Sequence, residues 1–460
     1  MQLLPQLRVS ADGHFFEDEN GRPFFLLADT AWMLFNKLRE EEIERLFANR
    51  AEKGFNAVLA VVFRDLFEPN SPNAYGIRPF ASDADMTAVK LNPEWLQFVR
   101  RMVQLAGKHG LYMGLLPTWG DKWNEHSNSA GPVIMDREKA RAYSRHLSDA
   151  LGDCPNIFWV LGGDSPIQNR AYAATVQAFA EGLREGAGGS RLVTFHPNDN
   201  STSEIFHGAE WLDFNAMQSG HARPNIADYA CIERLHRLRP PKPCLNMEAN
   251  FEACPMFLMM MEPEIPAEEP LYTAYDVRKC LYRSVLAGGA GFVYGCEPIR
   301  QLYREGDRIH VYGHHAMPEW KDVLDAPGSS QVRILPDLLR ERSYFTREPA
   351  QELLLPLTRT LGAGTDYTRM ENRDPAAHIR VARCREGNYL LAYTPVKQPV
   401  SLDTSGLRGE QYVVSVVNPE NGEPLTHYRR PNTGVFTFVP GRDLDTFFIL
   451  ERRDGSPAPA

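Results

Sequence analysis

The chain has 460 residues, 43% hydrophobic and 24% charged, with a formal net charge of −9. This length exceeds what one hydrophobic core serves, so two domains are expected, and the composition excludes a disordered or fibrous chain. A negative balance without long Lys/Arg runs excludes a nucleic-acid partner, and no stretch nears the ~20 apolar residues that cross a bilayer, so no membrane partner is expected.

From about residue 24 to 340, short apolar runs alternate with amphipathic stretches. Eight runs predict strands: Phe24–Ala28, Ala57–Val62, Tyr112–Leu116, Ile157–Leu161, Leu192–Phe195, Phe214–Met217, Cys244–Met247 and Gly291–Tyr294. They are continuously apolar, as parallel strands covered on both faces are. Helices are predicted over Arg39–Lys53, Pro93–His109, Arg137–Leu151, Arg170–Glu185 and Thr273–Ala287. In the first of these, Ile43, Leu46 and Phe47 share a face, and Glu40, Glu41 and Glu42 sit at the positive end. The step after the fifth strand is weak, with a short helix at best in Asn198–Gly208. Eight such repeats predict an α/β fold, a (β/α)8 TIM barrel, over residues 1–345. An open doubly wound sheet is the alternative.

Beyond residue 350 the pattern changes. Ile379–Cys384, Asn388–Tyr393, Gln411–Asn418, Val435–Val439 and Thr446–Leu450 read as strands, with turn signals at Asn421-Gly422 and Pro440-Gly441. A C-terminal all-β sandwich is expected over residues 350–453, packed on the barrel, with a disordered tail over 454–460. The start, Met1-Gln2-Leu3-Leu4-Pro5, lacks the basic and apolar regions of a secretory leader, which predicts a cytoplasmic protein. Seven scattered cysteines without Cys-x-x-Cys spacing read as buried thiols in a reducing compartment.

Barrel chemistry sits at the carboxyl ends of the strands. Those ends carry Asp29 and Trp32 on strand one; Trp119, Asp121, Lys122 and Trp123 on strand three; and Asp164 on strand four. His196, Gln218 and Glu248 end strands five, six and seven, and Tyr294 ends strand eight with Glu297 just beyond. Carboxylates can protonate a glycosidic oxygen or attack an anomeric carbon, while tryptophans stack on sugar rings. Asp164 and Glu248, on strands four and seven, face each other in eight-fold packing and can approach the ~5–5.5 Å of a retaining glycosidase. Asp164 is the expected acid/base and Glu248 the nucleophile; Glu252 and Glu297 are alternatives if the strand end slips.

These segments carry a resemblance. Asp29-Thr30-Ala31-Trp32, Arg50-Ala51-Glu52-Lys53-Gly54-Phe55, Asn73-Ala74-Tyr75-Gly76, Leu116-Pro117-Thr118-Trp119-Gly120-Asp121-Lys122-Trp123 and Trp159-Val160-Leu161-Gly162-Gly163-Asp164 resemble the apiosidase-like barrels of glycoside hydrolase family 140. Lys242-Pro243, Glu248, Phe251-Glu252 and Ala274-Tyr275-Asp276-Val277-Arg278 extend the likeness over roughly residues 8 to 345, and the C-terminal module resembles the family's companion domain. The resemblance implies a retaining hydrolase, without cofactor, for β-linked apiose in a pectic side chain or a related pentofuranoside. It places the catalytic pair on Asp164 and Glu248 and adds Asn73 and Tyr75 to the substrate contacts. Ser165 stands where the family has Arg, and Met247-Glu248-Ala249 where it often has Gly-Glu-Pro; these departures bear on the sugar.

Plainer readings stand beside these. Asp164 could cap the next helix, Glu248 could pair with Arg278 or Lys242, and Trp119 and Trp123 could be packing residues. His221 reads as a supporting residue, and His314-His315 points apart, so no metal is expected. Met259-Met260-Met261 reads as an apolar cover. Two other functions remain open: a sugar-binding barrel without catalysis and a metal-dependent hydrolase.

Overall fold

The computed structural model describes residues 4–64, 70–127, 131–256, 270–308, 317–356, 359–361, 365–367 and 372–452. His314-His315, Met259-Met260-Met261 and the tail from residue 454 lie outside them.

Eight parallel strands form the barrel: β1 (Leu26–Thr30), β2 (Ala57–Val61), β3 (Tyr112–Leu116), β4 (Ile157–Gly162), β5 (Val193–His196), β6 (Asn215–Gln218), β7 (Cys244–Glu248) and β8 (Gly291–Tyr294). They hydrogen-bond in the order β5-β4-β3-β2-β1-β8-β7-β6, with Ser201–Thr202 adding a short antiparallel edge on β6. Between β5 and β6 the ladder gives way to the Asp213 N–H on the Val193 carbonyl (2.9 Å) and the Thr194 hydroxyl on the Phe214 carbonyl (2.7 Å).

The apolar runs are continuous because each strand is buried on both sides. Leu26, Ala28, Leu59, Val61, Phe158 and Val160 fill the interior, while Leu27, Val58, Ala60 and Phe292 meet the helices. Gly114 on β3 leaves its neighbours room, since a β-carbon there would lie 2.2 Å from the Leu59 side chain. The covering helices include α1 (Glu40–Glu52), α2 (Pro93–Lys108), α3 (Arg137–Ala150), α4 (Arg170–Glu185), α5 (Asp228–Arg237) and α6 (Ala274–Leu286). Asn92, Asp136 and Asn169 cap α2, α3 and α4 by accepting a backbone N–H. After β5 only a 3-10 turn forms, over Ser203–Phe206.

Strand β1 begins two residues later than the apolar run suggests. Pro23–Phe24 instead pairs antiparallel with Phe16 and Glu17 in a small sheet with Leu7–Val9. Leu7 and Phe16 plug the amino-terminal end of the barrel against Leu26, Tyr112, Phe158 and Phe214.

The C-terminal sheet has six antiparallel strands: β9 (Arg347–Pro349), β10 (Arg380–Cys384), β11 (Tyr389–Thr394), β13 (Gln411–Val417), β14 (Pro424–Pro431) and β16 (Thr446–Glu451). Their order is β9-β10-β11-β16-β13-β14, and β12 (Val400–Asp403) pairs with β15 (Val435–Phe438) as a ribbon across one face. Strands β9, β12 and β14 escape prediction: the first two are short, and β14 is an exposed edge without apolar alternation. On one face Val381, Leu390, Val414 and Phe448 meet Leu402 and Phe436 of the ribbon. On the other, Leu391, Tyr393, Phe447 and Ile449 join the barrel core, where Tyr393 stacks on Tyr282 of α6 with centroids 4.7 Å apart. All seven cysteines are free thiols.

Candidate active site

Two backbone devices bring carboxyls to the barrel mouth. The chain leaves β4 through Gly162 and Gly163, at φ +96° and +97°, and Asp164 follows at φ +50°. A β-carbon at Gly162 would stand 2.2 Å from the His196 carbonyl oxygen, so glycine is needed for the approach as well as for the turn. Asp164 pays the steric cost of the left-handed region, a feature that concentrates at functional sites. It is half-buried, and its Oδ1 accepts the Asp199 N–H at 3.1 Å. It does not cap α4, a role Asn169 fills.

The second device is a register shift. Leu245 and Met247 point into the barrel, so simple alternation would send Glu248 outward to the helices. Met217 pairs with Asn246 but Gln218 pairs with Glu248, leaving Met247 as an extra residue that re-aims the glutamate inward. Glu248 then accepts three hydrogen bonds: His196 Nε2 on Oε2 (3.0 Å), and His221 Nε2 (2.9 Å) and Gln218 Nε2 (3.2 Å) on Oε1. Burial alone would push this carboxyl up; the bonds and charges of His196 and His221 outweigh it and hold Glu248 well below the usual carboxylate range. His221 Nδ1 faces the Phe251 N–H at 3.3 Å. Both nitrogens of His196 face oxygens, Nδ1 meeting the Pro197 carbonyl at 2.9 Å.

Aromatic rings floor the mouth. Trp32 and Trp119 lie 5.2 Å apart, and both contact the His196 ring, at 5.6 and 5.8 Å. Arg64, two residues past the predicted end of β2, lays its guanidinium 3.6 Å over the Trp119 ring. Burial, reinforced by the like charge of Arg300, pulls Arg64 down to about 9. Lys122 Nζ donates to Asp121 Oδ2 (2.8 Å) and to the Gly131 carbonyl (2.9 Å). Among the described residues, Arg64 Nε, Thr118 Oγ1, Asp121 Oδ1, Asp199 Oδ1 and Gln218 Oε1 are buried without a hydrogen-bond partner. Such groups are costly unless something completes them, and a polyhydroxy ligand would.

Several expected substrate contacts sit elsewhere. Asp29 is fully buried in an ion pair with Arg50 (2.6 Å), and Tyr294, its register partner on β8, gives its hydroxyl to Glu252 (2.6 Å). Both fall on the helix-facing side of the pleat, so neither reaches the mouth, and Glu252 is engaged there too. Glu297 is fully buried and takes Arg300 and Gln301. Tyr75 lies on the outer flank, its hydroxyl accepting the Glu40 N–H (2.8 Å) and its ring against Phe98 of α2. Asn73 ties its own loop by accepting the Tyr75 and Ile77 N–H groups. Trp123 packs in the outer core beside Tyr172 of α4. Arg278 pairs with Asp445 and Lys242 bonds backbone carbonyls, so neither is the partner of Glu248. Asp199 and Arg64 lie past the strand ends, where the periodicity of the sequence carries no signal.

Among curated proteins none matches the chain. A solved structure described as a glycoside hydrolase superposes with a TM-score of 0.82 at 26% identity, covering 97% of each chain. A glycoside hydrolase family 5 structure from Bacteroides vulgatus gives 0.82 at 25% identity, over 97% of this chain and 93% of that one. Residues 367–451 match the family described as "Putative collagen-binding domain of a collagenase". Residues 10–346 match the family described as "Apiosidase-like, catalytic domain", and the chain, with a glycoside hydrolase fold and a polar mouth of this kind, belongs to that family.

Proposed function

We propose that the protein is a retaining glycoside hydrolase for a plant-type glycoside, a β-apioside or related pentofuranoside, and that it works without a cofactor. The observation that carries this reading is the state of Glu248: a buried carboxylate at the end of β7, held ionised by His196, His221 and Gln218. A nucleophile must be ionised before the sugar arrives, and three donors aimed at it provide that. In the first step Asp164 gives a proton to the glycosidic oxygen as the C–O bond breaks, and a Glu248 oxygen bonds the anomeric carbon. In the second, Asp164 takes a proton from water, which displaces Glu248 and releases the sugar. Trp32 and Trp119 floor the site, with Arg64 laid over Trp119, and the family match favours the apioside class.

The test is hydrolysis of aryl glycosides of pentofuranoses and common pyranoses, β-apioside included. Glu248→Gln should abolish turnover, and NMR of the first-formed product should show retained configuration. Asp164→Asn should spare substrates with good leaving groups, which need little protonation. Equal loss on all leaving groups would refute the acid/base role, and an inverted first product would refute the double displacement. Calorimetric binding without turnover by the wild type would select a sugar-binding barrel instead.

A further inference from the structure

A third carboxyl stands beside the proposed pair. Asp199 lies three residues past the end of β5, and its N–H is the donor to Oδ1 of Asp164. Its own Oδ1 is buried and, among the described residues, unpartnered. That oxygen occupies a notch left by Gly220: a β-carbon there would stand 1.5 Å from it, so even alanine would displace the carboxyl. The same segment braces the nucleophile. The Gly220 N–H donates to the Glu248 carbonyl (3.0 Å), Asn250 Nδ2 donates to the Gly220 carbonyl (2.8 Å), and His221 bonds the Glu248 side chain. The loops after β5 and β6 thus set one carboxyl against both members of the pair.

The groups facing Asp199 are His221 from the loop after β6, Asp164 after β4, Glu248 at the end of β7, and Tyr272 ahead of α6. Burial lifts the Asp199 carboxyl to about 6; the His221 charge opposes this, and the charges of Asp164 and Glu248 add to it. Repulsion between charges is mutual, so an ionised Asp199 resists ionisation of Asp164 as much as the reverse.

Resting on the hydrolytic reading above, we propose that Asp199 is a positioning residue for Asp164: its N–H fixes Oδ1, and its negative charge keeps the proton of Asp164 in place until a glycosidic oxygen takes it. Asp199 exchanges no proton in the cycle; its role is to aim and to hold.

Asp199→Asn keeps the N–H and the volume and removes the charge. On aryl glycosides with poor leaving groups, the alkaline limb of its kcat/KM profile should move down by about half a pH unit or more, while good leaving groups lose less than about two-fold. An unmoved limb, or equal loss on both substrate types, overturns the proposal. A second readout needs no turnover. A folded value above the unfolded one means the wild type loses stability as pH rises from about 4 to about 6, and Asp199→Asn is spared that loss. The melting-temperature difference, variant minus wild type, should therefore grow across that window; a pH-independent difference overturns the proposal. Glu248→Gln runs alongside: normal turnover there sinks the hydrolytic reading and this inference with it, whereas a dead Glu248→Gln with an unmoved Asp199→Asn limb sinks this inference alone.

Discussion

The barrel mouth and the seam between barrel and sandwich both bury charge, but they complete it differently. At the seam, Arg278 makes two 3.0 Å bonds to Asp445, which also takes the Tyr393 hydroxyl at 3.1 Å. Arg283 meets Asp228 at 2.8 Å, and Arg380 meets Glu233. At the mouth, Glu248 is saturated while Asp121, Asp199, Gln218 and Arg64 keep buried atoms unpartnered among the described residues. Among the described residues Arg283 Nε and Arg380 Nε are also unpartnered, so the difference lies in the carboxylates: Asp445, Asp228 and Glu233 spend theirs on arginines, whereas Asp121 and Asp199 each keep a buried oxygen for a visitor. The same side-chain types build both regions, and the pairing of the carboxylates tells them apart.

The largest way to break this contrast is Arg278→Ala. It strands Asp445 without its cation, at a cost of about 3–5 kcal/mol, and should lower the melting temperature steeply. Hydrolysis by the folded protein should stay within about two-fold, because Arg278 bonds Asp445 and Gln331 and neither Asp164 nor Glu248. A cost under about 1 kcal/mol would show that the seam is not held by its charges.

Next in size is the acid sensitivity of the seam. His378 stacks on Tyr229 at 3.6 Å with planes 6° apart, and burial, helped by Arg380 and Arg283, pushes it down to about 3. Its folded value lies below the unfolded one, so its neutral-ring stability is whole above about pH 6.5 and drains as pH falls toward 3. Between pH 7 and 5 the wild type should lose about 1–2 kcal/mol more than His378→Gln, read as the pH slope of thermal unfolding. Equal slopes would remove the ring from the account. The smallest expected effect is Tyr75→Ala, which should change kcat/KM by less than about two-fold and stability by less than about 1 kcal/mol. A ten-fold loss of kcat/KM would return Tyr75 to the sugar.

Much of the barrel was legible because β/α alternation writes itself as apolar runs of strand length between amphipathic segments. Counting strand ends brought Trp32, Trp119, Asp121, Lys122, Asp164, His196, Gln218 and Glu248 to one end of the barrel. It failed where pleat parity decides: Asp29 and Tyr294 occupy strand ends yet face the helices. Parity by itself would also have sent Glu248 the wrong way, and a one-residue register shift that no local pattern announces turns it inward. Asp199 and Arg64 escaped because loops, not strands, place them. The amino-terminal hairpins escaped because their strands are only two or three residues long, and β14 because its sequence lacks apolar alternation.

The six-stranded sheet has a consequence for how the chain is made. Its central strand β16 lies between β11 and β13 and is the last strand among the described residues. A ribosome therefore delivers every barrel strand, and five strands of the sheet, before Phe447, which completes the cover over Tyr282, exists. Throughout that interval the nascent chain carries an uncovered apolar flank on α6, the condition under which chaperones engage an emerging protein. Ending translation at the family boundary near residue 346 would make that interval permanent.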